Sequence, residues 1–513
     1  MSGFAGFGGF DGSLWEERFL WSNLCRRMCA RLSHRGGGTR EQHVSPSCVM
    51  SCTLSQAAHG RQPFSAVAGG RELTIVFDGM ISNGDSLRYE LTAKGYSFET
   101  ETDAETALKA YIEYGLECPE KFSGSYAFTI DDTYHNRIFL CRDRFGAKPL
   151  FYTCAGDRII FASEIKALFE YPGIRPVVGR GGLCELFSFG PVRTPGKCIF
   201  ENIFEIEPGS YAVFSSEGLQ SAKYYELKAV PNNDTPDELA AGLQNLMGEL
   251  LSASKDSPSY VFLTGDFEFC DSQTELCSKS VFDAVIARDM PGVPCFDSYL
   301  INLCRQIREN NAIAICDFSS DIIFGQSCLD GIGIPWPGYA GSIIKPEILE
   351  SIDMYSYTAD ICASRKTPLL GSESPEEAAH RKEYYMRIFR YLPAMLETAD
   401  RCAMYSGLEL ITPWADHRLI ESIYSLPPAF SREIMVKAGL THSPAPLPDA
   451  PLCGELNAEK FRYILCDSLQ PIHKIISAGK LCRENQPKLN PRLAQYLMQI
   501  NYWMIRYNIY IDI

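Results

Sequence analysis

Apolar and polar positions divide the chain into two unlike halves. Residues 1–65 are rich in Gly, Ser and Arg, and their patterning is weak. From Arg71 the signal sharpens. Leu73–Phe77 is a short strand-like run, and Asp78-Gly79 after it reads as a turn. Thr102 and Glu105 have capping-box spacing, and Ala104, Ala107, Leu108 and Tyr111 share one face of the helix they open. Tyr126–Ile130 and Ile138–Cys141 flank the polar stretch 131–136 and predict a hairpin. Ile159–Ala162, Ile199–Phe200 and Tyr211–Phe214 are further expected strands.

The polar stretch 232–236 reads as a linker, giving expected domains of 1–230 and 231–513. Beyond it helical spacing dominates. A helix is predicted over Asp237–Ser254 and a buried strand over Tyr260–Leu263. Leu300, Leu303, Cys304 and Ile307 repeat with a helical period, and Ala312–Ile315 is a second apolar strand. Long helices are expected at about 374–404, 416–425 and 454–470. Strands alternating with helices indicate an α/β second half.

Composition narrows the function classes. Hydrophobic residues make up 46% of 513 and charged residues 22%, as in globular proteins with packed cores. A net charge of −15 disfavours phosphate backbones, so no nucleic-acid partner is expected. No run of about eighteen apolar residues occurs, so no membrane association is expected, and with no signal-peptide pattern the expected location is the cytoplasm. The twenty cysteines include no CxxC. Most sit singly in apolar runs and read as reduced thiols acting as small hydrophobes.

Several stretches carry a family resemblance. RDRFGAKPLFY at 142–152, FASEIKALF at 161–169 and RTPGKCIFENIFEIEPG at 193–209 resemble the N-terminal half of the glutamine-hydrolysing asparagine synthetases. IARDMPG at 286–292, SDIIFG at 320–325 and SGLELITPWADHRLIE at 406–421 resemble that family's synthetase half. The resemblance implies an N-terminal-nucleophile (Ntn) glutaminase, an α+β αββα sandwich. An α/β, helix-rich, ATP-pyrophosphatase-like domain comes after it, and ammonia passes between them. Within the family pattern, the charges of 142–149 are expected to form a domain-interface network, not catalytic machinery.

Measured against that pattern, the site residues depart. The family's nucleophile is a Cys after the initiator Met, and here that position is Ser2. A serine hydroxyl with a free N-terminal amine can serve as a nucleophile, but it is far less acidic than a thiol. The family's Asn-Gly-Glu is here Asp78-Gly79-Met80. An amide donor to the oxyanion is worth ~2.7–4 kcal/mol, and an ionised carboxylate donates nothing. The family's glutamine-carboxylate Arg falls at Ser51 or Thr53, neither cationic. Only Asp103 matches a substrate ligand, the acid that holds the glutamine amine.

The synthetase half departs as well. The family's pyrophosphate loop, SGGLDS, aligns with Leu263-Thr264-Gly265 and a run containing acids, and the sequence reads as truncated around 264–285. A βαβ unit needs ~30 residues, more than the gap holds. The family's SGECADE motif maps onto the stretch 316–322, opening with Cys316-Asp317 and carrying Phe318 and Ile322 in place of glutamates. Asp321 alone remains as a Mg²⁺ ligand, with helix capping as its plainer role. Asp416, His417 and Arg418 read as a polar cluster opening an amphipathic helix.

The expectation is a homologue of the glutamine-hydrolysing asparagine synthetases that is catalytically inactive, with a binding or regulatory role. Its expected partner is a second copy or an active homologue. No cofactor is expected, with ATP and Mg²⁺ required if the family activity survives. Two alternatives are an active synthetase making asparagine from aspartate, and an unstable relic.

Overall fold

The computed structural model describes residues 2–37, 39–54, 60–231, 234–255, 262–263, 280–294, 296–316, 319–324, 341–371, 373–426, 431–439, 463–477, 479 and 491–513. Its first half is built on two six-stranded sheets. One runs in the order Phe204–Glu205, Phe151–Ala155, Arg158–Ala162, Ser2–Gly9, Cys48–Leu54, Thr39–Val44. The other runs Gly218–Lys223, Ser210–Ser215, Arg137–Arg142, Gly124–Asp132, Arg71–Ile81, Phe64–Ala68. Alternation along the strands explains how they stack, because successive side chains point to opposite faces. Phe4, Met50 and Cys52 of the first sheet meet Val76, Ile138 and Leu140 of the second in a shared core. Ala5, Phe7 and Val49 turn outward and are covered by Leu24, Cys25 and Met28 of the helix Arg18–Ala30. Ile75, Phe77 and Phe128 turn the other way, under Leu91, Ala107 and Leu108 of two further helices. The result is a four-layer αββα sandwich, the architecture that the resemblance implies.

Several elements differ from expectation. Residues 1–65 contain strands and a 13-residue helix. Their small and polar residues are buried by the sheet, which local patterning does not register. Asp78-Gly79 is no turn. Both lie inside the strand Arg71–Ile81, where Asp78 pairs with Ala127 and Gly79 with Tyr126. The pair sits mid-strand because the neighbouring strand supplies nine consecutive register partners from Leu73 to Ile81. Ile199–Phe200 is irregular and buried, not a strand.

In the second half, Phe262–Leu263, Ile313–Cys316 and Glu409–Ile411 form a parallel sheet. Helices Phe296–Arg308 and Leu392–Tyr405 pack on it through Leu300, Cys304, Leu396 and Cys402. The long helix expected near 374–404 is divided. Pro375–Met386 and Leu392–Tyr405 are joined by a π-turn, Arg387–Tyr391. Pro393 lacks the N–H that would donate to the carbonyl four residues back, so the ladder loosens there. The expected helix over 454–470 lies outside the described residues up to 462, and the remainder is one short helical turn and then turns. Thirteen described cysteines are free thiols. Among the described cysteines, Cys466 departs from the reduced-thiol expectation and is disulfide-bonded. Among the described residues, no helix is long and apolar enough to cross a membrane.

Candidate functional site

The strand Ser2–Gly9 runs down the middle of its sheet, and Ser2 pairs in register with Leu54. Next to it, Thr53 Oγ1 lies 3.2 Å from both the N–H and the carbonyl oxygen of Gly3. Ser51 Oγ donates to the carbonyl of Glu41 at 2.7 Å. Neither hydroxyl is free to act as a carboxylate clamp. A cation does stand here, from an unexpected segment. Arg35 is completely buried, and a Cβ placed on Gly3 would lie 2.7 Å from its Cδ.

Arg35 is held by three carboxylates. Its Nη2 lies 2.8 Å from Asp78 Oδ2 and 2.9 Å from Asp400 Oδ2, and its Nη1 lies 3.0 Å from Glu164 Oε1. Burial alone would lower the pKa of this guanidinium, but Asp400, Asp78 and Glu164 raise it instead. Asp78 is therefore the acceptor in a buried ion pair, and its carboxylate offers no N–H to an oxyanion.

The network continues across the seam between the halves. Lys148 pairs with Asp400, Arg401 Nη2 lies 2.7 Å from Asp289, and Lys166 Nζ lies 2.7 Å from Glu164. Four cations, Arg35, Lys148, Lys166 and Arg401, thus face four carboxylates, Asp78, Glu164, Asp289 and Asp400. Burial would raise the pKa of Glu164, but Arg401, His34 and Lys166 hold it well below its usual range. The 142–149 segment takes the interface role its charges suggested. Asp143 accepts from three backbone N–H groups of its own turn, at 3.0–3.1 Å, which poises Lys148 toward Asp400. A second bridge joins the halves where Arg193 contacts Glu205 and Glu397.

Gly79 and Met80 continue the strand beside Asp78. Gly79 has φ +126°, and a Cβ there would meet the Ser125 carbonyl oxygen at 2.1 Å. Asp103 opens its helix, and its Oδ2 accepts from the Ile81 N–H at 3.1 Å. Burial pushes its carboxyl up to about 6. Met80, Ser82 and Ser125 face Leu250, Thr412 and Asp416 of the second half across a cavity of about 120 Å³. Asp103 thus meets the end of the strand that carries Asp78, Gly79 and Met80.

The synthetase-side residues are only partly placed. Leu263 and Cys316 are register partners in the parallel sheet, and Cys316 is buried. Thr264, Gly265 and Asp317 lie outside the described residues, as does most of the expected truncation at 264–285. Asp321 belongs to the short helix Ser320–Ile323. Ile322, where the family has a carboxylate, is buried in the hydrophobic core. Among the described residues no three His, Cys, Asp or Glu converge on a metal position. Asp416 caps its helix, accepting from the Arg418 N–H at 2.9 Å and from Arg418 Nε at 3.0 Å. Burial and Arg144 lower His417 to about 4, so it is neutral near pH 7.

Comparison with known proteins agrees with this architecture. A family model described as a glutamine amidotransferase domain matches residues 1–225, and one described as asparagine synthase matches 299–433. The chain resembles the glutamine-hydrolysing asparagine synthetases in both halves. It is 29% identical to glutamine-hydrolyzing asparagine synthetase 3 of Bacillus subtilis strain 168, over 83% of this chain and 81% of that protein. It is 27% identical to synthetase 2 of the same organism, over 48% of this chain and 35% of that one. Among solved structures it is similar to the glutamine phosphoribosylpyrophosphate amidotransferase of B. subtilis, at 14% identity and a TM-score of 0.32, covering 51% of this chain and 60% of that one.

Arg35, Glu164, Asp289, Asp400 and Arg401 carry the centre of the site, and sequence reasoning missed them. His34-Arg35-Gly36 lies in a stretch that looks unpatterned. Glu164 and Asp289 sit inside motifs whose resemblance was legible, but whose convergence was not. Asp400 and Arg401 sit on a helix whose period was legible, but whose facing charges were not.

Proposed function

We propose that this chain is a catalytically silent homologue of the glutamine-hydrolysing asparagine synthetases, acting by binding and not by amide transfer. One observation carries the reading. At the oxyanion position the chain has Asp78, and its carboxylate is committed to Arg35 at 2.8 Å inside the protein. Preorganised donors stabilise developing negative charge, and a buried carboxylate does the opposite. Serine for the nucleophilic cysteine and Met80 for the family's glutamate act in the same direction. On this reading the two domains, divided near residue 230, keep the family's shape in the cytoplasm. The partner is a second copy or an active homologue.

The competing reading is a working synthetase that uses ATP and Mg²⁺. It is favoured by the match over 81% of the B. subtilis relative. Both are tested by incubating the full chain with glutamine, aspartate, ATP and Mg²⁺, and measuring glutamate, AMP and asparagine. The silent homologue yields none above the buffer blank. Sustained release of AMP with asparagine establishes the synthetase, and glutamate alone establishes a surviving glutaminase. Light scattering on the pure chain, alone and mixed with an active relative, tests the partner.

A further inference from the structure

We propose that a second cleft between the halves is a binding site for a small oxyanion, the phosphate or carboxylate head of a metabolite. The cleft is separate from the Asp78 cluster and encloses about 60 Å³. Its walls come from three stretches far apart in sequence: the turn at Arg144, the connection around Lys223 and Tyr225, and the second half from Arg365 to Phe389.

Charge is the first argument. Three cations, Arg144, Lys223 and Arg365, line the cleft. Arg365 Nη2 lies 2.9 Å from Glu207 Oε2, and Lys223 Nζ lies 3.6 Å from the same oxygen and 3.8 Å from Glu226. Two carboxylates therefore serve two of the cations. Arg144 has neither. It donates to the backbone carbonyls of Phe122 and Glu120, and its Nε is buried without a hydrogen-bond partner. Arg144 is half-buried, and a guanidinium that pairs only with neutral carbonyls gains from an anion that joins it.

Aromatic packing is the second argument. Arg144 lies over the rings of Tyr224 and Tyr225, at 5.8 and 5.3 Å. Arg365 lies 3.9 Å from the centre of the Phe389 ring, which stacks on Tyr385 at 6.0 Å. Such contacts fix a guanidinium without neutralising it. The donors are thus preorganised, and Arg is suited to planar or tetrahedral oxyanions because of its fork of N–H groups. The enclosed volume fits a head group of a few heavy atoms, and the open side leaves the rest of a ligand in solvent. A ligand here would bridge the two halves and stabilise their docking.

The test is thermal unfolding and calorimetry of the full chain with inorganic phosphate, acetate or chloride at matched ionic strength. Saturable stabilisation by phosphate or acetate, beyond that of chloride, is the expected result. Stabilisation by phosphate alone assigns a phosphate head, and by acetate a carboxylate. Arg144→Gln is expected to weaken that binding about tenfold, the worth of one charge-assisted hydrogen bond. Because Arg144 also braces two carbonyls, Lys223→Gln at the half-exposed strand end serves as the second variant, with weakening in the same direction. Equal shifts with all three salts, no shift at all, or undiminished binding in a folded Lys223→Gln protein would overturn the site.

Discussion

Arg35 Nη2 and Asp78 Oδ2 lie 2.8 Å apart, and neither side chain reaches solvent. Asp78 stands on a central strand of one sheet, and Arg35 reaches it from the turn after the first long helix. The pair is one edge of a larger cluster, because Arg35 also meets Glu164 and Asp400. A buried ion pair contributes little beyond a well-packed apolar alternative, but removing one partner strands a charge. Arg35→Met is therefore expected to destabilise the chain by about 3–5 kcal/mol. Asp78→Asn should cost less, since Arg35 keeps two carboxylates. Urea denaturation of the three proteins checks the order, and an unchanged midpoint for Arg35→Met would contradict it.

Restoring the family's residues should not restore the reaction. The triple variant Ser2→Cys, Asp78→Asn, Met80→Glu regains a thiol, an amide donor and a carboxylate. Neither position of the family's glutamine-carboxylate Arg regains a cation, because Ser51 and Thr53 are neutral, and Arg35 keeps Asp400 and Glu164. Glutamate release by the triple variant is expected to stay at the blank. Turnover would mean that Arg35 exchanges its partners for substrate.

Acid should weaken the cluster of Arg142, Arg193 and Glu205. Burial would raise the Glu205 pKa, but Arg142 and Arg193 bring it down to about 2. With a depressed folded pKa, its stabilisation is complete above about pH 4.5 and is lost as pH falls toward 2. The full swing is on the order of 3 kcal/mol. Arg193→Met should shrink this acid-side loss, read from denaturation midpoints across pH 2–5.

Asp103 should act with the opposite sign. Its carboxyl, raised by burial to about 6, binds a proton more tightly in the folded chain. Its contribution is therefore most favourable below about pH 4 and declines as pH rises through 6. Asp103→Asn should remove that decline and leave the acid-side behaviour of Glu205 in place. A pH profile identical to the parent between 4 and 6 would refute the assignment.

Gly79 is constrained by backbone alone. Its φ of +126° disfavours any L side chain, and the Ser125 carbonyl leaves no room for one. Gly79→Ala is expected to cost about 3 kcal/mol or more, from strain plus overpacking. A melt within a degree or so of the parent would show that the strand can shift to absorb it.

Periodicity along the chain was enough to locate the helix at Asp103, the hairpin around 131–136 and the strands of the second-half sheet, because it reports which face of an element is buried. The departures at Ser2, Asp78 and Met80 were also legible in the residue order, since a residue's chemistry is local. What those residues do became visible only in the folded chain. Asp78-Gly79 looked like a turn and is mid-strand, because sheet pairing outweighs a dipeptide preference. Arg35 and Glu164 meet within the first half although 129 positions apart, and only the docking of the halves brings Asp400 and Asp289 into the same cluster. No local pattern encodes such a cluster, because each charge is tolerable in the interior only when the others arrive.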